Sequence, residues 1–337
     1  MSTCIQVCNL SKVFPVTKTY RELFLHTFQK KTATALHNVN LRIDKGDLYG
    51  LLGSNGAGKT TLIKILCTLV LPSSGTAYID GLDVRKKSRE IKPKLGYVIG
   101  DERSFYWRLT GKQNLKFFAV INNIPHREVD RTVAHLLDLV GLKTHRNKMF
   151  KEYSTGMKKM LAIARGLLTN PNILIMDEPT SGLDPLVARK IKNFIKGTLV
   201  NTEHKTVLLA THNLAEVEQL CNRIAVLDKG KLMAEGTVDE IKTTLPNQKR
   251  FVVGIDNYQT ALLEKLENLT TVQRAVLKTA RPPFSSAQIE VEMIHGEDHA
   301  NQLMKSILAM GGQISSFQES NATLEDVFSR LLLRESA

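Results

Sequence analysis

Short apolar runs and amphipathic segments alternate along most of this 337-residue chain. Residues 5–10 and "ALHNVNLRID" (35–44) alternate apolar with polar positions and predict strands. "LYGLLG" (48–53) is an apolar strand that runs into a glycine-rich turn. "TTLIKILCTLV" (60–70) has helical spacing and is stopped by "LPSSG". "TAYIDG" (76–81) and "LGYVIG" (95–100) predict further strands. Residues 111–150 read as helical with a break at "NNIPH". "STGMKKMLAIARGLL" begins at a good helix cap, Ser154, and carries apolar residues at 157, 160, 161, 164 and 168. "NILIMDEP" and "KTVLLAT" predict buried strands, "NLAEVEQLC" a helix, and "RIAVLD-KG-KLMAEG" a hairpin.

Strands that alternate with helices predict a layered α/β fold. The texture changes after "TTLPNQ" (243–248). Residues 250–337 read strand, helix, strand, strand, helix, strand, helix, which predicts a small split-βαβ accessory domain of the α+β type. The expected division is therefore 1–245 and 246–337, with a helical subdomain at about 101–165.

Composition narrows the class. The chain is 42% hydrophobic and 23% charged, with a mean hydropathy of −0.14, as in ordinary globular proteins. No apolar run is long enough to span a bilayer, and the N-terminal residues show no signal-peptide pattern. Cys4, Cys8, Cys67 and Cys221 read as reduced thiols, so a cytosolic protein is the expectation. Charge is unevenly placed. Residues 1–165 hold 28 Lys and Arg against 12 Asp and Glu, whereas residues 166–337 hold 18 against 21. A basic first half points to an anionic partner.

"GSNGAGKT", Gly53 to Thr60, fits G-x-x-x-x-G-K-[ST] between an apolar strand and a helix, the context that motif requires. Gly53, Ser54, Asn55, Gly56, Ala57, Gly58, Lys59, Thr60 and Thr61 are the candidate phosphate contacts. Lys59 would reach the terminal phosphates and Thr60 would ligate Mg²⁺. The strand "ILIMDEP" ends in Asp177 and Glu178. Asp177 would hold Mg²⁺, and Glu178 would polarise the attacking water.

"YSTGMKK" lies before that acidic strand, "SGLD" lies after it, and His212 follows "VLLAT". This ordered set over residues 1–240 resembles the ATP-binding cassette (ABC) family. The resemblance implies a P-loop ABC ATPase fold, an ATP-hydrolysing transporter subunit at the cytoplasmic side of the cell membrane, and a head-to-tail pair of cassettes. It also implies that Ser154 and Gly156 contact the γ-phosphate in trans, that Asp184 links the two sites, and that His212 senses the γ-phosphate. Phe14, in "LSKVF", is the candidate adenine-stacking residue, with Tyr20 as its rival. The Tyr153–Met157 signature and the "LEDVF" ending (324–328) resemble drug-resistance exporters of the daunorubicin kind.

Where the family carries a glutamine after "LGYVI", this chain has Gly100, so Asp101, Glu102 or water would have to serve. The segment that follows implies contact with transmembrane permease subunits, through Phe105, Tyr106, Trp107 and Arg108. Residues 19–29, within the basic segment 18–31, predict a short helix and resemble the extra helix of polysaccharide-export cassettes. Tyr20, Leu23, Phe24, Thr27 and Phe28 would form one apolar face among basic neighbours, suited to a membrane surface. A soluble cassette ATPase acting on nucleic acid or ribosomes is the competing class. With one cassette and no basic tail here, no nucleic acid partner is expected.

Overall fold

In a computed structural model, the described residues are 2–15, 32–99, 104–243, 250–281, 286–293, 299–320, 323–325 and 327–328. The expected helix at 19–29, the rival residue Tyr20 and the Gly100 position lie outside them. In chain order the first elements are β1 (Thr3–Pro15), β2 (Thr32–Asp44), β3 (Leu48–Leu52), α1 (Lys59–Leu66), β4 (Ser74–Ile79), β5 (Leu82–Asp83), α2 (Ser88–Ile91) and β6 (Leu95–Ile99). Next come α3 (Gly111–Ile121), α4 (His126–Leu139), α5 (Thr155–Gly166), β7 (Ile173–Asp177), α6 (Pro185–Asn193), β8 (Thr206–Thr211), α7 (Leu214–Leu220), β9 (Arg223–Asp228), β10 (Lys231–Thr237) and α8 (Val238–Thr243). The last are β11 (Arg250–Asp256), α9 (Thr260–Glu267), β12 (Val272–Arg281), β13 (Ser286–Met293), α10 (His299–Ala309) and β14 (Gln313–Ser320).

The central sheet has the order β10-β9-β3-β8-β7-β6. All its pairings are parallel except the β9–β10 hairpin. The middle strands are buried on both faces, which is why "LYGLL", "ILIM" and "TVLLAT" are continuous apolar runs rather than alternating ones. Lys229 and Gly230 both take positive φ, as a two-residue primed turn between β9 and β10 demands. A second sheet, β2-β1-β4-β5, is wholly antiparallel. Ile5, Val7, Leu41 and Ile43 from it share one core with Leu62, Ile63, Leu66 and the central strands.

Two features of this part were not read from sequence. A helix at Pro185–Asn193, capped by the Asp184 carboxylate accepting from the Val187 amide, runs on as a π-helix over Phe194–Thr202. Helix α1 ends at Leu66, four residues short of the expected stop. Its last turn closes through Thr68 in the left-handed region (φ 57), with the Leu69 amide bonded back to the Lys64 carbonyl.

The chain divides into two compact units, Met1–Val238 and Asp239–Ala337. The second carries the βαββαβ order expected for it, with the fully antiparallel sheet β12-β13-β11-β14. Phe251, Val253, Ile255, Leu266, Ile289 and Ile307 form its core.

Candidate functional site

Four strand ends of the central sheet build the site. The turn from β3 into α1 is closed by glycines that no other residue could replace in place. A Cβ on Gly53 would collide with the Leu227 carbonyl, and Gly58 sits at φ 108 with the Ala35 carbonyl beside the position a Cβ would take. The turn wraps a cavity of about 420 Å³ lined by residues 54–61 together with Ala35, Ile99, Asp177 and Glu178. The first amides of α1 lack helical acceptors and point partial positive charge at this space.

Lys59 is only 6% exposed. Its amine donates to the carbonyls of Gly53 (2.6 Å) and Ser54 (3.0 Å). Burial lowers its pKa, and the nearby Glu178 and Asp177 charges oppose that shift. A bound polyphosphate would restore the lost charge compensation. The Thr60 hydroxyl donates to Asp177 Oδ2 at 3.3 Å. Burial raises the pKa of Asp177, while Thr60 and the lysines pull it down. Two oxygens at this spacing fit Mg²⁺, which takes few protein ligands and fills its shell with water and phosphate oxygens.

Glu178 follows at the end of β7, at a positive φ of 51. Its amide donates to the Ala210 carbonyl at 2.9 Å, and its carbonyl accepts from the Lys159 amine at 3.4 Å. Its carboxylate meets His212 Nδ1 at 2.5 Å. An acid and an imidazole are thus paired at the open edge of a phosphate-loop cavity, an arrangement that can hold a water and move its proton.

The remaining sequence candidates are placed elsewhere on the same unit. Ser154 caps α5 by accepting from the Met157 amide at 3.3 Å, and it is exposed. A Cβ on Gly156 would approach Val187 Cγ1 of α6 within 2.5 Å, so the signature glycine is a packing requirement between α5 and α6. Asp184 is exposed and caps α6. Phe14 is 37% exposed, with the Lys12 amine 4.8 Å from its ring centroid. It pairs with Ala33 in the β1–β2 ladder, whose residue Ala35 lines the cavity.

One expectation is corrected. Phe105 is not an exposed partner contact. It is 4% exposed and stacks on Phe150 at 4.7 Å. The Arg165 guanidinium of α5 lies 4.6 Å over its ring. The ring is large and apolar, and the helical subdomain offers it a core. Tyr106 and Trp107 remain half exposed, at 49% and 51%, and Arg108 is exposed. The loop is held by the fully buried Asn114, whose amide group accepts from the Tyr106 N–H (2.9 Å) and donates toward the carbonyls of Tyr106, Leu109 and Thr110.

Sequence reasoning missed Asn114, Lys159 and Glu216. Only Asn114, which shares the buried face of α3 with Leu115 and Ala119, carried a signal: a polar residue inside an apolar helical stripe.

Residues 36–181 match the family model described as ABC transporter, and residues 236–332 match the C-terminal domain of DrrA1-3-like ATP-binding proteins. The bacitracin transport ATP-binding protein BcrA of Enterococcus faecalis is 32% identical over 308 residues, 91% of this chain and 94% of that one. The chain belongs to the ABC transporter ATPase family. Within that family, the daunorubicin resistance ATP-binding protein DrrA3 of Streptomyces coeruleorubidus is 36% identical over 208 residues, 62% of this chain and 65% of its own. Two solved cassettes share the fold at 26% identity and a TM-score of 0.59. The dimeric post-hydrolysis state of the cassette MJ0796 bound to ADP and Pi covers 69% of this chain and 98% of its own. The cassette cbiO1 from Clostridium perfringens covers 73% and 97%. This ABC cassette is therefore an ATP-binding, ATP-hydrolysing transporter subunit with a DrrA-like C-terminal domain. Among its described residues no helix is long and apolar enough to cross a membrane.

Proposed function

We propose that this cassette powers an exporter by closing as a pair around two ATP molecules, with Glu178 as the water-polarising base and His212 as its partner. The observation that carries the reading is the 2.5 Å contact between Glu178 and His212 at the edge of the cavity lined by residues 54–61. Thr60 and Asp177 would hold Mg²⁺, which neutralises phosphate charge when bound. Ser154 and Gly156 of the opposite cassette would meet the γ-phosphate. Ser154 opens α5, and exposed helix N-termini suit anions. Asp184 would join the two sites, and Phe14 would stack on adenine. Export is favoured by the DrrA-like C-terminal domain and by the likeness to BcrA over 91% of the chain.

The cassette, 1–245, would dock on separate permease subunits at the cytoplasmic face of the cell membrane. Tyr106, Trp107 and Arg108 would make the contact, while Phe105 and Asn114 hold the loop rigid. Residues 246–337 would extend or regulate the pairing, and residues 18–31 would lie toward the membrane.

Glu178→Gln tests the chemistry. The variant keeps the shape and removes the base. Mg-ATP affinity should be unchanged, and the cassette should accumulate as an ATP-bound dimer with turnover reduced at least ~100-fold. Brisk hydrolysis by the assembled complex would falsify the assignment.

A further inference from the structure

Glu178 and His212 sit on two separate loops, one after β7 and one after β8. Nothing in their own hydrogen bond fixes where the pair stands relative to the phosphate loop. A third carboxylate does. Glu216 is 3% exposed, one turn into the helix that follows His212. Its Oε1 accepts from the Thr180 hydroxyl at 2.6 Å, and its Oε2 accepts from the Thr211 hydroxyl at 2.9 Å. Thr180 lies two residues after Glu178, and Thr211 immediately precedes His212. One buried carboxylate thus ties together the two loops that carry the hydrolytic pair.

The clamp is itself anchored. Asn213 caps α7 by accepting from the Glu216 amide at 3.2 Å, and the Asn213 amide donates to the Thr211 hydroxyl oxygen at 3.0 Å. Thr211 therefore donates to Glu216 and accepts from Asn213, which fixes its rotamer. The Thr180 bond is short, and the Thr211 bond is buried, where a hydrogen bond is electrostatically stronger than in water. A buried carboxylate that only filled space would be a poor choice, since burying it is costly unless its oxygens are satisfied.

We propose that Glu216 is a positioning residue for hydrolysis: it sets the register between the Glu178 and His212 loops, so that the acid–imidazole pair forms over the bound γ-phosphate. It touches neither nucleotide nor water. The proposal rests on the reading of Glu178 as the base. Its loss should therefore slow the chemical step and leave nucleotide binding alone.

The test uses the full chain assembled with its membrane subunits. Glu216→Gln keeps the volume and gives one oxygen and one amide in place of two acceptors. Glu216→Asp keeps both acceptors on a shorter arm. Displacement of a catalytic group by about 1 Å costs on the order of 100-fold in rate. The expected result is kcat lowered by about that factor in Glu216→Gln, with KM and Mg-ATP affinity within about twofold, and partial recovery in Glu216→Asp. In single-turnover assays, adding Glu216→Gln to Glu178→Gln should cost little more than Glu178→Gln alone, because groups acting as one unit are non-additive. Wild-type kcat in Glu216→Gln would overturn the proposal. So would a rate loss fully additive with Glu178→Gln, or one accompanied by an equal loss of nucleotide affinity. If Glu216→Gln fails to fold, the decision passes to Glu216→Asp, whose kcat must fall while its affinity holds. If Glu178→Gln itself hydrolyses normally, the base assignment is what fails, and that outcome is visible without any Glu216 variant.

Discussion

Lys59 shows how much a single side chain does before any ligand arrives. Its amine closes the phosphate loop on itself through the Gly53 and Ser54 carbonyls. Bound phosphate would compete for the same charge. Each charged hydrogen bond to phosphate contributes about 1.5–3 kcal/mol, so Lys59→Ala should weaken Mg-ATP binding by roughly 10- to 100-fold. Nucleotide titration of the purified chain is the check, and unchanged affinity would remove Lys59 from the site. Thr68 makes the opposite case. It is a β-branched residue in the left-handed region, and its hydroxyl is buried without a partner. Left-handed backbone costs about 1–2 kcal/mol for a residue with a Cβ. Thr68→Gly should therefore stabilise the chain by about 1 kcal/mol once the extra unfolded-state entropy of glycine is subtracted. Thermal unfolding should show a rise in Tm of about 2–4 °C.

Elements explain which sequence readings succeeded. Helix α5 was legible because Ser154 is a strong cap and its apolar positions recur at helical spacing. The helix after Asp184 was not. Its sequence, "PLVARKIKNFIKGTLVNT", buries few side chains and passes into π geometry partway along. Along this segment Lys192 and Lys196 both bond Gln219 of α7. The loop at 104–110 teaches the same lesson. Three successive aromatics read as one surface, but the fold sends Phe105 inward and leaves Tyr106 and Trp107 outside. Asn114 decides the split by satisfying the loop's backbone groups. Asn114→Ala would leave those buried groups unpaired and should cost about 2 kcal/mol. We expect a lower Tm, retained Mg-ATP affinity and weaker co-purification with the membrane subunit. Undiminished co-purification would show that the loop's rigidity is not needed for docking.

For the whole molecule, two compact units with separate cores are joined in one chain. The phosphate-loop cavity is lined wholly by residues of the first unit. A chain ending at Leu245 should therefore bind Mg-ATP with near wild-type affinity while losing whatever the second unit adds to pairing. Equilibrium binding and sedimentation of the shortened chain test both halves of that statement. A folded fragment that cannot bind nucleotide would contradict it.

The sequence by itself determined the layered α/β class, the phosphate loop, the acidic strand end and the split-βαβ pattern of the C-terminal unit. Each depends on short-range rules: a glycine-rich turn between an apolar strand and a helix, apolar runs where a strand is covered on both faces, and alternation where one face is open. Tertiary structure alone decided which residues hold the site in shape. Glu216 reads locally as one acid among several on a helix, and only the folding of β7 beside β8 brings Thr180 and Thr211 to its two oxygens. Lys159 likewise reads as a solvated lysine until the packed sheet places the Glu178 carbonyl within its reach. Contacts between residues far apart in the chain leave no local period to read, because their partners are chosen by topology.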